Sequence, residues 1–338
     1  MSTVDGNPPP GAVLVGSEAD EITTHLRRRG LLDGTPVTVR QLAGGVSNDV
    51  HAVHGDGIDV VVKRALGRLR VAEEWLADPD RILTEASALR AAAAVQPMWV
   101  PPVIDVDESA LVLVIGHAGT DCHDWKADLL DGVVDLRVAS HLGEVLAKWH
   151  TTTAADPAIA DRFAGTEAFR QLRIDPFYRW VGIRHPNLAT ELDAAAAALL
   201  DRGLCLVHGD FSPKNVLTSD TRTWVIDWEV AHYGDPVFDV AFMLSHLMCK
   251  SLLRPRLHAD YQAAAEVFLR RYRAAAVGLP WDEGHLTLHS ACLLLARMDG
   301  KSPVDYLDET ARSRGRTIAS AAIAHRGMTI DEFWRSTQ

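Results

Sequence analysis

Apolar and polar residues alternate along "VTVRQLAGGVSNDVHAVHGDGIDVVVKRA", which begins at Val37. A period of two is typical of strands with one buried face, and the glycine-containing breaks "AGG" and "HGDG" divide this segment into three. The sequence therefore predicts a three-stranded antiparallel meander. Two more strands are predicted in "VPPVIDVDESALVLVIGHAG", with a turn at residues 107–109.

Helical spacing of apolar residues dominates the rest of the chain. A first helix is predicted from a capping Ser17 to about Arg29, and a helical stretch over residues 69–95 is interrupted near Pro79. "LRVASHLGEVLAKWHTTT" and "PNLATELDAAAAALLDRG" predict two long helices, and several more follow a loop-and-strand region at 204–236. We expect an α+β fold with a disordered leader (1–16), a strand-rich lobe (17–117) and a larger helical lobe (118–338).

Composition restricts the class of protein. The 338 residues are 47% hydrophobic and 23% charged, as in a packed globular protein, and the net charge is -11. An acidic surface disfavours nucleic acid and anionic lipid as partners. The four cysteines form no C-x-x-C pair, and no apolar run approaches the ~18 residues of a membrane span. We expect a soluble cytoplasmic protein, monomeric or homodimeric, with no membrane partner.

The tetrapeptide "VHGD" occurs twice, ending at Asp56 and at Asp210. The first copy lies between two predicted strands, so Gly55 to Gly57 is interpreted as a hairpin turn. The second copy continues as "VHGDFSPKNVLT" and leads to "WVIDWE", which places Asn215 five residues and Asp227 seventeen residues after Asp210. Phosphoryl transfer from ATP to a hydroxyl needs a proton-accepting carboxylate, and an amide oxygen with a second carboxylate to hold Mg²⁺. These residues have the required types and order.

The pattern H-G-D-x-x-x-x-N followed by I-D-W-E resembles the aminoglycoside phosphotransferase and choline kinase-like family, relatives of the protein kinases, over residues 37 to 306. The resemblance implies a two-lobed protein-kinase-like fold with ATP between the lobes. It makes Asp210 the catalytic base and Asn215 and Asp227 the ligands of Mg²⁺. It also implies that Lys63 contacts the α- and β-phosphates and pairs with Glu85, for which Glu73 and Glu74 compete. The other implied nucleotide contacts are Gly44, Gly45, Ser47 and Asn48 over the phosphates and a hinge formed by Ile115 to His117.

Two departures from protein kinases favour a small-molecule substrate. Ser212 stands where protein kinases often carry a lysine, so it is a candidate hydrogen-bond donor to the γ-phosphate. The glycine of D-F-G is absent, and the stretch from Asp227 to Asp235 is too short for a phosphorylatable activation loop. Trp228 and Glu229, which follow Asp227, are candidates for the acceptor site, although Trp228 equally fits the core.

Supporting residues are also predicted around the second "VHGD". Asp235 and Asp239 are expected to cap helices or hold the catalytic loop, and His208 to pack within it. Near the C-terminus Arg297 and Asp299, with Lys301, either select substrate or form an interhelical salt bridge.

An aminoglycoside, amino sugar or related antibiotic is the first acceptor that the resemblance suggests, with a role in antibiotic resistance. Acids in "HAGTDCHDWKADLLDG" are candidates to bind its ammonium groups. Methylthioribose, choline, homoserine and nucleosides are alternatives. A catalytically silent nucleotide-binding interaction module is an alternative of another class.

Overall fold

The structure, a computed structural model, describes residues 13–42, 48–67, 77–325 and 327–336. Within these residues, the strands and α-helices of the first lobe are α1 (Ser17–Arg28), β1 (Val37–Gln41), β2 (Asn48–Gly55), β3 (Ile58–Ala65), α2 (Arg81–Val95), β4 (Val103–Asp107) and β5 (Val112–Gly116). The strands form one antiparallel sheet in the order β1-β2-β3-β5-β4. The predicted meander and the two further strands are thereby confirmed.

The two faces of this sheet bury different sets of side chains because successive residues of a strand point to opposite sides. Val60 and Val62 of β3 pack with Ile22 and Leu26 of α1 on the outer face. Val61 lies on the inner face, in the core that also contains α2 and most of the second lobe. The sheet is therefore covered by a helix on each side, α1 on the outer face and α2 on the inner face.

Two boundaries in the first lobe differ from those predicted. The expected disorder of the leader is wrong for residues 13–16, because the buried Leu14 donates its N–H to Val39 O at 2.9 Å; residues 1–12 lie outside the described residues. Ser17 is the first helical residue, with Gly16 at the N-cap and no side-chain capping bond. The second helix begins at Arg81, just after Pro79, and residues 68–76 of that stretch are also outside the description.

The second lobe is mainly helical, as predicted. Its elements are β6 (His123–Asp124), α3 (Trp125–Asp131), α4 (Leu136–Thr153), α5 (Pro157–Arg162), α6 (Glu167–Phe169), a π-helix (Arg170–Arg179), α7 (Trp180–Arg184), α8 (Ala189–Asp201), β7 (Cys205–Val207), β8 (Val216–Thr218), β9 (Thr223–Val225), β10 (His232–Gly234), α9 (Val237–Leu253), α10 (His258–Ala275), α11 (Glu283–Asp299), α12 (Glu309–Ala324) and α13 (Ile330–Arg335).

Close helix packing forms the centre of this lobe. Helices α9 and α11 are buried along almost their whole length, and α4 packs against α10. Gly143 makes the α4–α10 approach possible, because a Cβ there would lie 2.3 Å from the carbonyl oxygen of Phe268. None of the helices in the described ranges combines the length and the apolar character needed to cross a bilayer.

Candidate active site

The second "VHGD" forms a fixed loop directly after strand β7. Gly209 has φ 76°, and a Cβ at this position would lie 2.6 Å from Val230 O, so only glycine fits. The carboxylate of Asp239 accepts the N–H groups of His208 at 2.7 Å and Gly209 at 2.9 Å. This contact confirms that Asp239 holds the loop. Asp235 also has its expected place, because its Oδ1 accepts the N–H of Val237 at the start of α9.

His208 is buried inside the loop, as expected. Its Nδ1 accepts the N–H of Asp210 at 3.1 Å, and its Nε2 lies 3.0 Å from Ile226 O, to which it donates. Burial lowers the pKa of His208, which favours the neutral ring that this bonding pattern requires. The histidine thereby links the backbone of the loop to the segment that leads to Asp227.

The Asp210 carboxylate lies among cationic side chains. Arg173 Nη2 is 2.9 Å from Oδ1, and Lys214 Nζ is 2.8 Å from Oδ2. Asn215 Nδ2 also donates to Oδ2 at 2.8 Å. Burial opposes ionisation, but Arg173 and Lys214 outweigh it and lower the pKa of Asp210 below its ordinary value. Asp210 is therefore a carboxylate at neutral pH.

Sequence analysis missed two of these partners. Lys214 lies in the same motif, four residues after Asp210, whereas the lysine was sought at position 212. Arg173 comes from the π-helix, where it also donates to Gly209 O at 2.8 Å. No local pattern identifies Arg173, because it meets Asp210 only through the packing of the π-helix against the loop.

A short hairpin brings Asp227 to the same place. Strands β8 and β9, which lie in the predicted loop-and-strand region, pair antiparallel, and the chain then turns at Asp227, a non-glycine residue with φ 70°. Asn215 precedes β8, and its amide nitrogen donates to Asp210, which leaves the amide oxygen to bind a cation. Carboxylate and amide oxygens suit Mg²⁺. The donor set of Asn215 and Asp227 therefore fits this ion.

Lys63 joins the two lobes at this point. Its Nζ is 2.6 Å from Glu85 Oε1 and 2.9 Å from Asp227 Oδ1. Burial disfavours the charged lysine, but Asp227 and Glu85 outweigh it and raise the pKa of Lys63. Burial opposes ionisation of Asp227 too, and Lys63 with Lys214 lowers its pKa nonetheless. Among the described residues, Glu85 of the first lobe and Asp227 of the second are the carboxylates that pair with Lys63, and Glu73 and Glu74 lie outside the description.

Lys63, Lys214, Asn215 and Asp227 line a cleft of about 490 Å³ between the sheet and the helical lobe. Ile115 and His117 border it, and the His117 N–H donates to Asp59 O at 3.3 Å. Their use as a hinge for adenine stays a prediction. Gly44, Gly45 and Ser47 lie outside the described residues. Two of the acids proposed for ammonium binding are engaged locally, because Asp124 Oδ1 accepts the N–H of Ala127 and Asp128 contacts His123.

Glu229, a candidate for the acceptor site, is instead bonded to two residues of the first lobe. Its Oε2 accepts Nδ2 of Asn48 at 2.9 Å and Nε of Arg81 at 3.0 Å. Asn48, expected over the phosphates, borders the cleft but points its amide nitrogen at this carboxylate. The turn at Asp227 is the reason, because it directs Glu229 back toward the first lobe.

Trp228 belongs to the core, so its proposed acceptor contact is wrong. It is 1% exposed, its Nε1 donates to Val225 O, and its ring packs edge-on against Trp149 at 4.9 Å. Ser212 is also fully buried, and its Oγ has no hydrogen-bond partner among the described residues. Its contact with phosphate stays a prediction.

Arg297 and Asp299, the two candidates near the C-terminus, have different surroundings. Asp299 forms the interhelical salt bridge considered as the alternative, with Arg316 of α12 at 2.8 Å, and it also contacts His185. Its proposed role in substrate selection is therefore wrong. Arg297 takes no part in this salt bridge, and its guanidinium lies 4.2 Å from the centroid of the Phe177 ring.

The first "VHGD" is a turn, as interpreted. Asp56 is exposed between β2 and β3, and Gly57 has φ 80°. The same four letters thus occupy two different environments.

Stability should fall in acid because of the buried carboxylates. The pKa values of Asp210, Asp227 and Asp239 are lowered in the folded state, so their stabilisation is complete above the unfolded value of about 4 and is lost as the pH falls through the lower folded values. Each pH unit between folded and unfolded pKa corresponds to about 1.4 kcal/mol. We expect the urea midpoint to drop below pH 4 and to depend less on pH in Asp239→Asn. An exposed control, Asp56→Asn, should follow the wild type, and equal acid profiles for both variants would contradict the assignment.

Comparisons with known proteins agree with this geometry. Residues 38–277 match the phosphotransferase enzyme family. Methylthioribose kinase of Geobacillus sp. (strain WCH70) is 28% identical over 260 residues, which cover 68% of this chain and 64% of that protein. Methylthioribose kinase of Pectobacterium atrosepticum is 27% identical over 316 residues, or 84% of this chain and 77% of that protein. The chain thus spans just under two thirds of the Geobacillus protein.

A solved structure shows the fold. Choline kinase from Cryptosporidium parvum Iowa II has a TM-score of 0.58 and 12% identity, over 90% of this chain and 95% of that chain. This similarity confirms the predicted two-lobed protein-kinase-like architecture.

Proposed function

Because this chain belongs to the phosphotransferase enzyme family, we propose that it transfers the γ-phosphoryl group of ATP to a hydroxyl group of a small molecule. The observation that carries the proposal is the grouping of three side chains, because Asn215 and Asp227 line the cleft and Asp210 lies directly beside Asn215. Asn215 bonds Asp210 directly, and the charge of Asp227 acts on the pKa of Asp210. Lys63 completes the group from the opposite lobe.

Asp210 is the proposed base. Its carboxylate would orient the acceptor hydroxyl and accept its proton as the phosphoryl group is transferred. Arg173 and Lys214 keep it ionised, and Asn215 fixes the Oδ2 oxygen. A carboxylate with a low pKa is a weak base, so the proton moves late, and catalysis depends mainly on positioning.

The phosphate side of the site would consist of cationic groups. Lys63, held by Glu85, would contact the α- and β-phosphates of ATP. Lys214 borders the cleft beside Asp210 and would supply the positive charge that protein kinases often carry at the position of Ser212. Asn215 and Asp227 would hold Mg²⁺, which when bound neutralises charge on the phosphates.

The surroundings of the base favour an uncharged or anionic acceptor over an aminoglycoside. Arg173 and Lys214 contact Asp210, and its charge also acts on the pKa of Arg297. Three cations repel the ammonium groups of an aminoglycoside or of choline. The similarity to methylthioribose kinases points in the same direction, toward a sugar hydroxyl.

An acceptor panel tests the proposal. ADP release would be measured with ATP, Mg²⁺ and each of methylthioribose, simple sugars, sugar acids, nucleosides, homoserine, choline and aminoglycosides. We expect release with a subset of these and a phosphate ester in the ³¹P NMR spectrum of the product. Tight ATP binding without product for any acceptor would favour the nucleotide-binding module instead.

A further inference from the structure

Arg297 is a buried cation whose donors are incompletely used. Its residue is 7% exposed, and Nε and Nη2 have no hydrogen-bond partner among the described residues. Its guanidinium lies 4.2 Å from the Phe177 centroid and 5.7 Å from that of Phe242. Burial lowers the pKa of Arg297 to about 10. Unpaired buried charge is unfavourable, so a retained example of it indicates a missing partner.

The position of Arg297 relates it to the proposed base. Arg173 lies over the same two rings, at 5.6 Å from Phe177 and 5.7 Å from Phe242, and it pairs with Asp210. The charge of Asp210 in turn raises the pKa of Arg297. Arg297 therefore belongs to the surroundings of Asp210, although α11 is distant from the loop in sequence.

Lys250 on α9 extends this cationic region. It is fully buried, and within the described part of the chain it forms no salt bridge. Its Nζ lies 3.5 Å from His246 Nδ1 and 5.4 Å from the Tyr306 centroid. Burial lowers its pKa to about 7, and Lys126 and Arg297 act in the same direction.

Carboxylates do not balance this region. The negative charge of Asp124 raises the pKa of Lys250, but Asp124 Oδ1 already accepts the N–H of Ala127 at the start of α3. Asp210 is shared between Arg173 and Lys214. Within the described residues, neither carboxylate therefore forms a salt bridge with Arg297 or Lys250.

We propose that the acceptor carries an anionic group, a carboxylate or a phosphate, which Arg297 binds while the acceptor hydroxyl faces Asp210. The inference rests on the proposed phosphotransfer. The planar guanidinium suits either anion through two parallel hydrogen bonds, and Lys250 adds charge behind it. The anionic group would thereby fix which hydroxyl reaches the base, so Arg297 determines specificity without taking part in the transfer.

Binding is tested first, independently of turnover. Calorimetry with glucose, glucosamine, gluconate and glucose 6-phosphate compares a neutral, a cationic, a carboxylate and a phosphate form of similar size. We expect one or both anions to bind, with gluconate and glucose 6-phosphate separating carboxylate from phosphate preference. Arg297→Gln should weaken that binding about 30-fold or more, Arg297→Lys should restore part of it, and an exposed control on α10, Arg270→Gln, should match the wild type. Anions that bind no better to the wild type than to Arg297→Gln would overturn the inference.

Turnover separates this inference from the proposed function. With the acceptor found in the panel, Arg297→Gln should raise KM about 30-fold and leave the affinity for ATP unchanged. If anion binding depends on Arg297 but no phosphate ester forms, the proposed phosphotransfer is refuted and the anion subsite at Arg297 is supported. If a cationic or neutral acceptor is phosphorylated efficiently, with the same KM in the wild type and in Arg297→Gln, the proposed phosphotransfer is supported and the anion subsite is refuted. Both Arg297→Gln and Arg297→Lys could also fold poorly. If the folded fraction of each then binds the anion as tightly as the wild type, Arg297 has a structural role and the proposal is refuted.

Discussion

Asp210→Ala is expected to lower kcat by about 10³-fold or more, because a positioned carboxylate base contributes on this order. The affinity for ATP should change little, since Lys63, Glu85 and Asp227 retain their contacts. Initial rates of ADP release and calorimetric titration with a non-hydrolysable ATP analogue measure the two effects separately.

The sequence supplies a matched control for this variant. Asp56→Ala changes the aspartate of the other "VHGD", which lies exposed in the β2–β3 turn, and should retain wild-type rates. Asp210→Asn keeps the volume and the bond to Asn215 while removing the charge, so it tests whether the loss comes from misfolding. Turnover within tenfold of the wild type in both Asp210 variants would refute the assignment of the base.

Asp227→Ala should abolish the dependence of nucleotide binding on magnesium. The wild type is expected to bind ATP about 100-fold more tightly with Mg²⁺ than with a chelator, which corresponds to about 2.7 kcal/mol. Because the variant lacks the carboxylate that would hold the ion, its ATP affinities with Mg²⁺ and with the chelator should become equal. The substitution also removes one of the two carboxylate partners of Lys63. Calorimetry in the two buffers measures the difference.

Asp220→Ala is the control for this second experiment. Asp220 is exposed in the turn of the same β8–β9 hairpin, so its replacement tests a loss of charge near the hairpin without a change at the site. It should keep the full magnesium effect. A magnesium effect in Asp227→Ala equal to that of Asp220→Ala would contradict the role of Asp227.

The catalytic motif was predictable because it is local. Asp210, Asn215 and Asp227 lie within one loop and hairpin, and their types follow from the chemistry of phosphoryl transfer. Lys63 and Glu85 were implied by the resemblance, and the structure places them 2.6 Å apart. Lys63 lies in β3 and Glu85 in α2, two elements that periodicity predicts from the sequence.

The errors concern the direction of side chains. Trp228 and Glu229 were expected near the acceptor because they follow Asp227. The left-handed backbone at Asp227 instead sends Trp228 into the core and Glu229 toward Arg81. Which way a side chain points after an irregular turn depends on the packing around the turn, and residue spacing does not contain this information.

The sequence by itself determined the order of the strands and helices along the chain, and it determined the motif that contains two carboxylates and an amide. Periodicity and short-range spacing are local properties, so both can be read from the sequence. Only the tertiary structure decided the charge around the base. Arg173 and Arg297 come from segments on either side of the motif and meet at Phe177 and Phe242. Contacts between such distant segments arise from helix packing, so a chain that is acidic as a whole places arginine side chains close to Asp210.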